Sequence, residues 1–180
     1  MIIVALCPAF ADRFEWPTGQ GHERVTVGDP LYDQMAEHGW RGADRWARRA
    51  NDVAPTIVGG SKKHGGPDLG PTGTKKAWAA LGVEGRSLAN EAPAEGFVGM
   101  PRLTVPMVAR LQGFPDTWQF EGSKTHAYRQ VGNAFPPPMA NAVARQVRRA
   151  LVGRLQASVD TSAHAYTAAE AQRSSSSLCR

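Results

Sequence analysis

The stretch YRQVGNAFPPPMANAV, residues 128–143, limits the fold of this chain more than any other. Pro136, Pro137 and Pro138 each hold φ near about −65° and carry no N–H donor, so they fit neither a helix interior nor a central strand. They make a fixed corner. A helix is expected directly after it, because Met139, Val143, Val147 and Leu151 recur at i, i+4 steps opposite an arginine-rich side. Gly153 can end that helix. An amphipathic helix must lie on a surface, and a corner this rigid must hold Gly132 and Asn133 against something.

The rest of the chain offers few surfaces that are obvious. IIVAL, residues 2–6, reads as a buried strand of a parallel sheet covered on both faces, ended by Cys7-Pro8. No clear parallel partner follows within the next stretch, so the larger sheet is expected to lie outside the chain. VTV (25–27) and PTIV (55–58) read as short strands. Asp29-Pro30 reads as a helix start, with Asp29 as cap and Gly39 as stop. Residues 43–50 read as a helix with Ala43, Trp46, Ala47 and Ala50 on one face, and 75–83 as a helix closed by Gly82. Thr104 is placed to cap VPMVARLQ, Gly113 to stop it, and FPDTW to turn between two aromatics.

Between Gly59 and Pro71 lie seven glycines and prolines, decorated with Lys62, Lys63 and His64 and followed by Lys75 and Lys76. Glycines let backbone amides come close to a phosphate, and lysines neutralise it. The loop has no Walker pattern. It reads either as a DNA-facing loop or as a flexible solvated one. A formal net charge of +5 over 180 residues fits a polyanion partner, and equally a plain basic surface. Two cysteines, Cys7 and Cys179, make no disulfide framework and no zinc spacing, which suits a reducing cytoplasm. No apolar run is long enough to cross a bilayer. Beyond about residue 154 the chain is small, polar and low in complexity, and is expected to be a disordered tail.

Two segments, RLTVPMVARLQGFPDTW (102–118) and YRQVGNAFPPPMANAV (128–143), resemble in order the last two motifs of C5-cytosine-specific DNA methyltransferases. VAPTIVGGS is similar to the Thr-Ile/Leu element of that family's target recognition domain, and IIVAL to the strand before it. The resemblance covers about residues 2–153. It implies an α/β chain: the C-terminal portion of an S-adenosylmethionine-dependent, Rossmann-like methyltransferase fold, with an incomplete sheet and a small mixed recognition domain. The implied divisions are 1–10 (last strand of the catalytic domain), 11–100 (recognition domain), 101–153 (closing motifs and helix) and 154–180 (tail).

The resemblance also implies site residues. Gly132, Asn133, Ala134 and Phe135 would lie against S-adenosylmethionine, with Asn133 offering both a donor and an acceptor. A capping or turn role for Asn133 stays open beside this. Thr56 and Ile57 would take part in reading double-stranded DNA in the major groove. Lys62, Lys63, His64, Lys75 and Lys76 are candidate phosphate contacts, which set register rather than sequence. Arg102, Arg110 and Gln112 are expected to tie the recognition domain to the sheet rather than to act in catalysis, and Thr104 and Gly113 belong to the same structural motif as the cap and stop of its helix.

The departures bear on function. The family's glycine-rich cofactor loop, Pro-Cys-Gln nucleophile loop, Glu-Asn-Val acid and Gln-x-Arg-x-Arg strand have no counterpart here. In the family a thiolate adds to C6 of a flipped cytosine, and the methyl group then passes to C5. No catalytic residue is therefore expected in this chain and no metal site. Met107 stands where the family has a Glu that completes a capping box, so Thr104 is expected to cap alone, at a cost of about 0.5–1 kcal/mol. Phe135 replaces a Val. Three readings follow: one piece of a split methyltransferase that needs a second chain, a degraded remnant, or a stand-alone DNA-binding module.

Overall fold

The computed structural model describes residues 2–19, 24–59 and 66–152. Its elements are helical: α1 (Pro8–Ala11), α2 (Gly28–Ala36), α3 (Ala43–Arg49), α4 (Thr72–Ala80), α5 (Val105–Leu111), α6 (Lys124–Asn133) and α7, residues 137–152. Contacts divide the chain into two units, Gly21–Pro138 and a second formed by Met1–Gln20 with Met139–Arg180.

The larger unit holds the core. α2 packs on α3 and on α5, and α5 packs on α6. Leu31 and Met35 of α2 meet Trp46 of α3, Trp78 of α4, Met107 and Val108 of α5, and Tyr128 and Val131 of α6 in one buried cluster. Glycine permits the α2–α3 approach, since a Cβ on Gly28 would overlap the Ala47 carbonyl. The loops between helices are held by long-range backbone bonds: Leu69 N–H to Gly85 O (3.0 Å), Leu88 N–H to Pro67 O (3.1 Å), Glu84 N–H to Pro101 O (2.9 Å) and Ala89 N–H to Leu103 O (2.9 Å).

No strand forms among the described residues, where the only extended pairing is one antiparallel bridge, Gly39–Ala94. This corrects the strands expected at 2–6, 25–27 and 55–58. A strand exists only in a ladder, and none of these segments finds a ladder partner among the described residues. In the second unit Ile3 is 76% exposed, so IIVAL is not buried as expected. Met139 and Leu151 of the α7 stripe are exposed as well. Phe14 and Trp16 meet edge to face, 5.1 Å between ring centres.

Helix boundaries also shift. α2 starts at Gly28, before Asp29, because Val27 and Gly28 donate to Asp52 O and Ala50 O (both 2.9 Å) and anchor the first turn early. Asp29 instead accepts from the Thr26 hydroxyl at 2.8 Å. α4 begins straight after Pro71, whose fixed φ starts the helix at Thr72 rather than at Lys75.

Candidate corner between the glycine loop and the last turn of α6

α5 is built by its ends. The Thr104 hydroxyl accepts the Met107 N–H (3.3 Å), and the Thr104 N–H donates to the Met107 sulfur (3.4 Å). Thr104 therefore does not cap alone. A thioether stands in for the carboxylate of the usual box, as a weaker acceptor. At the other end Gly113 has φ +82°, and a Cβ there would press on the ring of Pro138. One proline of the rigid corner thus rests on the stop of α5.

Arg110 joins three parts of the larger unit. Its guanidinium grips Asp116 through two bonds (2.9 and 2.6 Å), donates to Pro30 O at 2.8 Å and pairs with Asp33. Arg110 holds the carboxyls of Asp33 and Asp116 below the usual range, chiefly through these hydrogen bonds. Gln112 Nε2 donates to Val131 O at 3.2 Å, linking the ends of α5 and α6. Arg102 is exposed. Arg110→Gln is expected to lower the unfolding free energy by about 1.5–3 kcal/mol in urea titrations, the range for hydrogen bonds to a charged group. Lowered carboxyl pKa values contribute stability that is present above the ordinary value and lost as pH falls through the folded value. The variant should therefore lose part of the acid dependence below about pH 4. An unchanged acid limb would refute this account of Arg110.

α6 was not expected from the sequence. It places Ala127, Tyr128 and Val131 in the core and leaves Asn133 exposed at its end. The Tyr128 hydroxyl donates to Asp68 O at 2.8 Å. Burial first, and then the charge of Asp68, push its phenol up to about 12. Asp68 also accepts the Gly70 N–H (3.1 Å) and pairs with Lys75 (2.6 Å).

The two candidate elements meet at the end of α6. A Cβ on Gly132 would stand 2.6 Å from both N and Cα of Gly59 and 2.7 Å from the carbonyl carbon of Val58. A Cβ on Gly59 would fall within the side-chain amide of Asn133. What approaches Gly132 is this chain's own backbone, two residues beyond Thr56-Ile57. Ile57 packs on the core while Thr56 is exposed. Phe135, 44% exposed, follows Asn133, with half-buried Ala134 between them. Lys75 is engaged by Asp68, Lys76 is exposed, and Lys62, Lys63 and His64 lie outside the described residues. Sequence reasoning missed Gly59, Asp68 and Tyr128 as parts of this corner. Tyr128 carried a signal as the first letter of its motif, whereas Gly59 was hidden among other loop glycines.

No group of His, Cys, Asp and Glu among the described residues could hold a metal ion, and no described helix is long and apolar enough to cross a membrane.

The family model described as C-5 cytosine-specific DNA methylase matches residues 13–149. The Type II methyltransferase M.NaeI of Lentzea aerocolonigenes is 56% identical over 153 residues, covering 83% of this chain and 37% of that protein. Type II methyltransferase M.NgoMIV of Neisseria gonorrhoeae is 44% identical over 154 residues, covering 84% and 48%. DNA (cytosine-5)-methyltransferase 2 of Arabidopsis thaliana shares 51% identity over 49 residues, 27% of this chain and 3% of its own length. The chain thus spans less than half the length of the two bacterial relatives. No solved structure matches it.

Proposed function

Because the chain belongs to the C-5 cytosine-specific DNA methylase family, we propose that it is the DNA-reading and cofactor-closing part of a cytosine-5 methyltransferase, acting in the cytoplasm as in restriction-modification. The observation that carries this is the seam between Gly59 and Gly132. It joins the segment similar to the recognition element to the segment similar to the cofactor corner.

In this reading residues 11–100 meet duplex DNA, with Thr56 and Ile57 at the base edges and Lys62, Lys63, His64 and Lys76 at phosphates. Lys75 supports the loop through Asp68. The end of α6 suits S-adenosylmethionine: Asn133 has an exposed amide with a donor and an acceptor, and Phe135 an exposed apolar ring. Asn133 would hydrogen-bond its polar end, and Ala134 and Phe135 would cover its apolar part. When bound, the cofactor supplies the methyl group. Arg102, Thr104, Arg110, Gln112 and Gly113 fix the frame that holds this corner. The sheet of the Rossmann-like fold, the nucleophilic cysteine and its acid would come from a second chain, on whose sheet IIVAL and the α7 stripe would pack.

The test uses tritiated S-adenosylmethionine and duplex DNA. The 180-residue chain alone is expected to give no incorporation above a no-protein blank. Addition of a chain carrying the Pro-Cys-Gln, Glu-Asn-Val and Gln-x-Arg-x-Arg segments should restore it. Incorporation by the chain alone would defeat the proposal. DNA retention in a gel with no restoration by any such chain would favour the stand-alone DNA-binding module instead.

A further inference from the structure

A crevice of about 160 Å³ opens beside the second half of α3, lined by Arg45, Trp46, Arg49, Gly82, Gly99 and Met100 among others. Its charged lining residues are both arginines. Arg45 is exposed and pairs with no carboxylate among the described residues. Arg49 is held in place, since its Nη2 and Nε donate to Ala79 O (2.9 Å) and Ala80 O (3.3 Å), while Nη1 makes no bond among the described residues. Beneath them Trp46 is 4% exposed, and its indole N–H finds no acceptor among the described residues.

Glycine shapes this place. Gly82 has φ +74°, and a Cβ there would lie 3.2 Å from Arg49 Cδ, 3.3 Å from Trp46 Cδ1 and 3.4 Å from Arg49 Nε. Trp46 Cδ1 is bonded to the N–H-bearing nitrogen. The donor edge of the indole and the guanidinium of Arg49 therefore converge where residue 82 has no side chain. The carboxylate of Glu95, in an adjoining groove that Arg45 also lines, is engaged by Arg41. An indole N–H without an acceptor and arginines that no carboxylate among the described residues offsets, lining one crevice, are the chemistry of an oxyanion site.

We propose that this crevice binds a phosphodiester of the DNA backbone, through Arg45 and Arg49 with the Trp46 N–H beneath. It rests on the DNA-reading role proposed above, and it adds a contact on α3, a segment distinct in sequence from the candidate lysines. The crevice lies wholly within the larger unit, so the site is complete in this chain.

The experiment follows the five indole N–H resonances of the 180-residue chain by NMR, with Trp46 assigned by its loss in Trp46→Phe. Inorganic phosphate and duplex DNA are titrated separately, and DNA affinity is measured against salt. The expected result is that both ligands move the Trp46 resonance. Arg45→Gln should also reduce the slope of log affinity against log salt by about 0.9, the value for one lost phosphate contact, while Arg45→Lys retains it. DNA binding with an unmoved Trp46 resonance and an unchanged slope in Arg45→Gln would overturn the site and leave the DNA-reading role standing. A response to phosphate with no binding of DNA would overturn the DNA backbone as the source, and that role with it. Silence toward both ligands overturns the proposal outright.

Discussion

Replacing Gly132 with alanine is expected to destabilise the chain by about 2 kcal/mol or more. Intrinsic propensity argues the other way, because alanine in a helix interior gains about 0.5–1 kcal/mol over glycine. The surroundings decide the sign. The new methyl would stand 2.6 Å from two backbone atoms of Gly59, and backbone cannot swing aside as a side-chain tip can. Overpacking of this kind costs about 1–3 kcal/mol, and more where the neighbour cannot move. Gly59→Ala should behave alike, although its methyl meets the Asn133 amide, which can rotate, so the loss should be smaller. Urea unfolding of both variants checks the order. A stabilised Gly132→Ala would show that the seam is not closed in solution.

Tyr128→Ala should have the largest effect of any single change near the corner, a loss of about 3–5 kcal/mol. Its ring is fully buried, and large aromatic-to-alanine changes in a core cost that much. Tyr128→Phe isolates the hydroxyl. It leaves Asp68 O without its donor and should cost about 1–2 kcal/mol. It also carries a pH signature. The phenol is raised from the model-compound value of 10.0 to about 12 in the folded chain. Its contribution is therefore fully present below pH 10 and is lost as pH rises toward 12, at about 1.4 kcal/mol per pH unit. The difference in stability between wild type and Tyr128→Phe should shrink over that window. A difference that stays constant would refute the assignment.

What could be read from the sequence followed from local rules. α5 was legible because Thr104 and Gly113 stand at its ends, where an N-cap oxygen and a left-handed residue are needed. α3 was legible from Trp46 and its alanines on one face. α6 was not, because Gly132 and Asn133 are poor helix formers and its buried set is only Ala127, Tyr128 and Val131. The strand readings rested on short apolar runs, which give hydrophobicity without a partner. The engagement of Lys75 by Asp68, the sulfur in the cap of α5 and the seam between Gly59 and Gly132 are all contacts that sequence spacing does not encode. The family motifs single out Gly132 and its neighbours, but what presses on Gly132 is set by the fold.

The seam has a thermodynamic consequence. Residues 56–59 and 132–135 meet there through the backbone at Gly132 and the Asn133 amide at Gly59, so neither segment can shift by much without displacing the other. If DNA orders the first and the methyl donor orders the second, each ligand lowers the entropy left for the other to remove. Linkage then makes the effect reciprocal: the factor by which DNA tightens cofactor binding equals the factor by which cofactor tightens DNA binding. An enzyme assembled around this chain would sense an occupied reading head through two glycines.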